Sequence, residues 1–568
     1  MLIASFAEII SVSAVLPFLG VLTSPEQVFN HPLMQTLLDT VSRVFSMKVP
    51  TESSQIILPL TIIFIIAALV AGTIRLLLLY AITRFSYATG ADISINIYRR
   101  TLYQKYSVHV SRNSSEVING IINKSNIVIS GILNPALVLI SSIILLIGII
   151  SVLFTINIKV ALIASVGFGI LYWIVIRRTR VQISENGEII AEQSTLMIKS
   201  LQEGLGGIRD VLIDGSQKFY CELYRNADLP LRRATGNNEF ISASPRYIIE
   251  AVGMSLIAGL AYVITQQQGG MTTAIPILGA LALGAQRLLP AMQQAYGAYS
   301  TIKGAKSSFK DVLYLLDQPL PFHENKNPQN PIKFEKEIQL KGIDFRYTKE
   351  TTLILSNINL TLKKGARIGF MGATGSGKST LLDIIMALLT PTTGELSIDG
   401  LPINDKNIRD WQAHIAHVPQ NIYLSDSTIE ENIAFGTAKE KINRQQVEKA
   451  AKQAQISELI CSWKDGYHTF VGERGIRLSG GQRQRIGIAR ALYKQADVLI
   501  FDEATSALDN ETELAVMTAI EGLDRDLTIL IIAHRLTTLK GCDQIIKLDK
   551  YNITHAGNYQ DMVNESSK

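Results

Sequence analysis

Hydrophobic positions are spread unevenly along this chain. Before about residue 320 they form long charge-free runs. After about residue 330 they come in short bursts broken by charge, glycine and proline. The first pattern predicts membrane-spanning helices, and the second predicts the buried strands of a soluble α/β domain. The opening stretch, MLIASFAEIISVSAVLPFLGVLT, is apolar apart from Glu8. With neither a basic leader nor a small-residue cleavage site, it is expected to be a first span whose cytoplasmic lead-in is missing. From Ser24 to Thr51 the chain turns polar, with Val28, Leu33, Leu37, Leu38, Val41, Val44 and Phe45 spaced along one helical face. A short amphipathic helix at the outer membrane surface is expected there.

Further spans follow from Ile56 to Ile74, within the charge-free run from Ser125 to Ile158, and from Val160 to Ile176. Two more lie between Ala251 and Gln286, divided by QQQGGMTT. The run from Ser125 exceeds one bilayer crossing, so its helix must project from the membrane or turn near Asn157. The expectation is six spans. Basic residues gather in Arg84–Arg112 and Arg177–Arg233, and the positive-inside rule places these connections in the cytoplasm. Both are polar and helix-compatible, as extensions of the spans would be. Their tips, Tyr106–Glu116 and Ile208–Tyr220, are candidates for contact with the soluble domain. PLPFHENKNPQNP, Pro319 to Pro331, marks a boundary. The expected division is a transmembrane domain over 1–318, a linker over 319–334 and a soluble domain over 335–568.

Composition agrees with this division. Across 568 residues, 47% are hydrophobic, and the mean hydropathy of +0.21 is high for a fully soluble protein. The three cysteines, Cys221, Cys461 and Cys542, lie far apart without C-x-x-C spacing. That indicates neither a disulfide framework nor a cysteine zinc site, and reduced, structural thiols are expected. A net charge of +5 suits cytoplasmic loops facing anionic lipid and gives no basis for a nucleic-acid partner.

The chemistry lies in the soluble half. Gly372, Ala373, Thr374, Gly375, Ser376, Gly377, Lys378, Ser379 and Thr380 spell a phosphate-binding loop. An apolar strand, ARIGFM, precedes it and a helix-forming segment, STLLDIIMALL, follows, so an anion would sit at a helix N-terminus. Lys378 would reach the β- and γ-phosphates of ATP, and the Ser379 hydroxyl would serve Mg²⁺. The strand VLIFDE ends in Asp502, placed to hold Mg²⁺ through water, and Glu503, placed to polarise an attacking water. Leu478, Ser479, Gly480, Gly481 and Gln482 form LSGGQ, a second helix start that offers Ser479 to a γ-phosphate. Gln420 follows the strand IAHVP, His534 follows LTILIIA, and Tyr347 lies upstream in DFRY.

In this order the motifs resemble the nucleotide-binding domain of an ATP-binding cassette (ABC) transporter, over about residues 335–560. The resemblance implies that Tyr347 stacks on adenine and that Gln420 senses Mg²⁺ and the membrane domain. It also implies that His534 contacts the γ-phosphate, that Asp509 in SALD contacts the opposing subunit, and that LSGGQ acts on ATP held by the other chain. The acid at Glu503 implies a hydrolytically competent site. Glu473 and Arg474 resemble the segment that exporters place beside the membrane-domain tips. The implied fold is a six-helix transmembrane domain of the type I ABC exporter kind, its helices extending into the cytoplasm, followed by an α/β P-loop domain. Six spans before one cassette imply a half-transporter that works as a homodimer.

Three arginines lie at similar depth in the spans. At about 1.5 Å per residue, Arg75, Arg246 and Arg287 all fall in the cytoplasmic half, where guanidinium groups could bind phosphate or pyrophosphate. Snorkelling to the interface, or pairing of Arg246 with Glu250, is the competing explanation. SPRYIIEAVG, LALGAQRLLP and VLPFLG resemble segments of the PglK-type flippases of lipid-linked oligosaccharides in bacterial protein N-glycosylation. That resemblance implies that the three arginines handle a lipid pyrophosphate, that the segment after Ser24 meets the polyprenyl tail, and that the protein is multi-pass in the inner membrane. Where those flippases carry a further arginine this chain has Gln294, which implies a less basic site. A general lipid or multidrug exporter, and a regulatory cassette ATPase that transports nothing, are the alternatives.

Overall fold

The computed structural model describes residues 1–23, 26, 57–156, 158–265, 270–321, 332–503, 510–522, 526–533, 535–549 and 551–566. The expected surface helix after Ser24, the turns at Asn157 and Gln266–Gly269, and most of the Pro/Asn-rich boundary fall outside them. The chain forms two compact units. One contains residues 1–102 and 112–319, and the other contains 103–111 and 320–568.

The first unit is helical. It contains α1 (Leu2–Thr23) and α2 (Ile57–Leu102). The short helix α3 (Tyr106–Ser111) belongs to the second unit. The chain then returns to form α4 (Asn134–Ile156), α5 (Ile158–Gly206), α6 (Gln217–Ala243), α7 (Pro245–Thr265) and α8 (Gly270–Leu316). With 46, 49 and 47 residues, α2, α5 and α8 are each about 70 Å long at 1.5 Å per residue. That is more than twice the bilayer's apolar thickness, so one end of each projects well beyond it. Two stretches among the described residues, Ile57–Leu102 and Ser114–Phe154, are long and apolar enough to cross a membrane by length and composition. The second includes two π-helical turns, Gly120–Lys124 and Ile129–Leu133, so the span does not begin as the simple α-helix that its charge-free run suggests.

Packing within this unit uses close approach and aromatic contact. Gly148 on α4 leaves room for Ile9 of α1: a Cβ there would lie 2.1 Å from the Ile9 Cδ1. Phe18 of α1 stacks on Phe64 of α2 with centroids 4.9 Å apart. Ile149, Phe168, Tyr172, Ile249, Leu288 and Tyr296 form the buried core between α4, α5, α7 and α8. On α2, Leu69, Leu76 and Leu77 are exposed, as side chains facing lipid would be.

The second unit has two sheets. β1 (Glu337–Phe345), β2 (Leu355–Lys363), β4 (Thr393–Ile398) and β5 (Leu401–Pro402) form an antiparallel sheet in the order β2-β1-β4-β5. The other sheet runs β10-β9-β3-β8-β7-β6. In it β3 (Arg367–Met371), β6 (Ile415–Val418), β7 (Val498–Asp502), β8 (Thr528–Ile532) and β9 (Gln544–Asp549) are parallel. β10 (Asn552–Gly557) closes one edge antiparallel. The central parallel strands run apolar through Val498–Phe501 and Ile529–Ile532, as strands covered on both faces require. Between the sheets lies one core, with Phe370 and Trp411 fully buried. The Trp411 Nε1 donates to the Ile385 carbonyl at 2.8 Å.

Candidate nucleotide site and intramembrane charges

The chemistry collects at the carboxyl ends of the parallel strands, where ligands bind open α/β sheets. β3 runs into the phosphate loop, and α9 (Lys378–Ile385) starts directly after it. Gly377 has φ +94°, and a Cβ on it would lie 2.9 Å from the Ile354 carbonyl oxygen. Only glycine lets the loop close this tightly before the helix begins. The Lys378 ammonium donates to the carbonyls of Gly372 and Ala373, both at 2.9 Å. Burial lowers its pKa, while Glu503 and Asp502 draw it back upward.

β7 ends two strands from β3 and delivers the carboxylates. The Ser379 hydroxyl donates to Asp502 Oδ1 at 3.4 Å. This all-oxygen pair at the start of a helix suits a hard cation such as Mg²⁺, which would screen phosphate charge when bound. Glu503 has φ +51°, a left-handed conformation uncommon for its residue type. Its N–H donates to the Ile532 carbonyl at 3.1 Å. Its Oε2 accepts from Gln420 Nε2 at 2.7 Å, which ties the segment after β6 to the carboxylate that ends β7. Tyr347 is 48% exposed, with its ring edge-on to Phe345 and its hydroxyl 3.4 Å from Thr380 Oγ1. Its ring is open to a flat ligand.

Leu478 is buried, and Ser479 caps the helix α10 (Gly480–Tyr493). The Ser479 hydroxyl accepts from the Gln482 N–H at 3.2 Å, and the Gln482 side chain accepts from the Ser479 N–H at 2.8 Å. The signature segment is thus a capping box that holds its own helix start in shape. The S-x-x-Q spacing in the sequence carries that signal, and the helix start expected at LSGGQ is found there. Asp509 and His534 lie outside the described residues.

Sequence reasoning missed Lys105, and of Tyr106 it gave only the start of the tip segment Tyr106–Glu116. Lys105, just before α3, pairs with Asp405 at 2.9 Å. Burial, then the Asp383 carboxylate and the Tyr347 phenol, raises the Tyr106 hydroxyl above its ordinary pKa. Residues 103–111 thus belong with the cassette and not with the membrane helices on either side of them in sequence. The other tip, Ile208–Tyr220, stays with the first unit.

Among the membrane helices, Arg75 on α2 pairs with Glu8 on α1, Nη1 to Oε1, at 3.3 Å. Arg246 on α7 faces Glu250 at 3.8 Å. It lines a cavity of about 220 Å³ with Tyr172, Ile249, Glu250, Leu289, Pro290 and Gln293. Arg287 lies on α8, two residues ahead of Leu289, with its side chain outside the described residues.

Known families agree with this arrangement. Residues 18–273 match the ABC transporter transmembrane region, and residues 355–506 match the ABC transporter cassette. Both matched regions are ABC transporter regions, one of the membrane part and one of the nucleotide-binding part. The chain is 38% identical over 264 residues to the ATP-dependent lipid A-core flippase of Francisella novicida, covering 46% of this chain and 44% of that one. The chain thus spans less than half the length of the first curated relatives it matches. It is 27% identical to the flippase of the same name from Cupriavidus pinatubonensis over 87% of this chain and 84% of that one. The fold matches a bacterial Atm1-family ABC exporter solved with ATP bound. There the TM-score is 0.77 at 22% identity, over 100% of this chain and 97% of that chain.

Proposed function

We propose that this protein is an ATP-driven flippase that moves a polyprenyl-pyrophosphate oligosaccharide across the inner membrane, with its cassette in the cytoplasm. It works as a homodimer with six spans per chain. The observation that carries the reading is a pair of matched features. Glu503 follows the nucleotide-site strand with its carboxylate hydrogen-bonded to Gln420, and the membrane helices α2, α7 and α8 carry Arg75, Arg246 and Arg287 within their apolar stretches. ATP's phosphates would take the loop N–H groups and Lys378, and adenine would stack on Tyr347. Mg²⁺ would bind Ser379 and Asp502, with Gln420 beside it. Glu503 would take a proton from the attacking water, His534 would contact the γ-phosphate, and LSGGQ would complete the partner subunit's site with Asp509 at the interface.

The named relatives favour a second lipid, since both are called lipid A-core flippases. One experiment separates the two. Translocation is followed in proteoliposomes with a fluorescent short-chain pyrophosphate-linked oligosaccharide, using the Glu503→Gln protein as control. ATP-dependent movement that the variant loses, and that Arg287→Ala reduces, supports the reading. Robust ATP hydrolysis without movement overturns the glycan and turns the search to lipid A-core and other lipids.

A further inference from the structure

Tyr172 of α5 is 8% exposed and sits in the core of the membrane helices. Its ring leans on Tyr296, with centroids 5.7 Å apart, yet its hydroxyl has no hydrogen-bond partner among the described residues. A buried phenol usually finds one. This one lines the cavity of about 220 Å³ together with Arg246 and Glu250 of α7 and Gln293 of α8. Arg246 Nε and Glu250 Oε2 stand 3.8 Å apart, near enough to offset each other's charge and too far for a hydrogen bond. The cavity therefore has no net charge, but it gathers donors and acceptors of four kinds: phenol, guanidinium, carboxylate and carboxamide. Ile249, Leu289 and Pro290 supply its apolar wall.

We propose that this cavity is the subsite for the first sugar of the transported lipid, and that Arg246 serves that sugar and not the pyrophosphate. The inference rests on the lipid-linked oligosaccharide reading above and gives it a place where the glycan is read. A pyrophosphate offers acceptors and negative charge alone, and here it would meet the Glu250 carboxylate as well as the guanidinium. A sugar ring is uncharged, its hydroxyls both donate and accept, and its C–H faces suit the apolar wall. The cavity is smaller than the about 300 Å³ at which sites for drug-sized ligands begin, so it takes one ring and not a whole oligosaccharide. Its position fits the bonding of the substrate. The first sugar is bonded directly to the pyrophosphate, and Arg287 stands on α8 two residues ahead of Leu289. Pyrophosphate at Arg287 therefore leaves the first ring beside the cavity, where the Tyr172 hydroxyl gains the partner it lacks.

The test measures binding to the full chain in phosphatidylcholine nanodiscs. The probes are a fluorescent short-chain polyprenyl pyrophosphate and the same lipid carrying one glucose, galactose or N-acetylglucosamine. Wild type is expected to bind at least one glycosylated probe more tightly than the bare pyrophosphate. Tyr172→Phe keeps the ring against Tyr296 and removes the hydroxyl alone. It should weaken the preferred glycosylated probe about three- to tenfold, as loss of one hydrogen bond implies, and bind the bare pyrophosphate as wild type does. Gln293→Leu and Arg246→Gln should show the same split, which a misfolded variant cannot give, because it loses both probes. If no sugar improves on the bare pyrophosphate, or if the variants bind the glycosylated probe as wild type does, the cavity is not a sugar subsite. If Arg246→Gln weakens the bare probe as much as the glycosylated one, that arginine serves the pyrophosphate and the assignment is overturned. If wild type binds no pyrophosphate probe at all, the lipid-linked reading falls and takes this inference with it.

Discussion

Replacing Gly377 with alanine tests whether the phosphate loop's shape, and not only its sequence, is needed for ATP binding. At φ +94° an added Cβ meets the Ile354 carbonyl oxygen at 2.9 Å and Leu355 Cδ2 at the same distance. The left-handed backbone alone costs about 1–2 kcal/mol for a residue with a Cβ. Forcing a methyl against a backbone oxygen adds about 1–3 kcal/mol. The Leu355 methyl can swing aside, but Ile354 is held by its N–H bond to Phe345 at 2.8 Å. The loop must therefore move, and movement spoils the curvature that points its N–H groups at phosphate. If about 1.5–3 kcal/mol of this strain is felt in the bound state, ATP affinity falls between about tenfold and a hundredfold. Gly400→Ala is the control, because Gly400 has φ +81° but nothing within 4 Å of its Cβ, and it lies in the hairpin between β4 and β5. That variant should lose stability and keep its ATP affinity. Titration of a fluorescent ATP analogue on the purified full chain reads both. Binding by Gly377→Ala within about threefold of wild type would refute the reasoning.

Two further predictions concern stability. Burial, and then Asp502, pushes Asp383 from 3.8 to about 6. Between those values the folded protein holds a proton that the unfolded chain has lost, so stability falls as pH rises through this window and is lowest above it. Asp383→Asn should remove that slope and, allowing for solvent screening, raise stability at neutral pH by about 1–2 kcal/mol. Melting curves across the window check this, and a variant that tracks wild type overturns it. Trp411→Phe keeps an aromatic ring against Phe334 but leaves the Ile385 carbonyl without its donor in a fully buried site. It should cost about 1–3 kcal/mol, read as a fall in the cassette's melting temperature.

Much of the cassette was legible because its motifs are demands on the backbone. A loop that must close on phosphate needs Gly377 in place, and a strand that must end in carboxylates at the sheet edge needs apolar residues up to Phe501 and acids from Asp502 onward. These constraints are local, so a short window carries them. The contacts that escaped depend on partners distant in sequence. Glu8 was visible as an interruption of an apolar run, but the side chain it meets lies 67 positions away. The rotation that brings them together comes from Ile9 on Gly148, which no periodicity of α1 reveals. The grip of Gln420 on Glu503 spans 83 positions and joins two strand ends that only the sheet order makes neighbours. The expected pairing of Arg246 with Glu250 spans a single helical turn, and it was foreseen as one of two alternatives.

The chain passes between its two units three times: after Leu102, after Ser111 and after Pro319. A body on one tether keeps nearly all of its rotational freedom and can swivel without pulling on what holds it. A body attached at three separate points gives up that freedom, because any turn draws on at least one attachment. Placing Tyr103–Ser111 within the cassette thus converts a leash into a bracket.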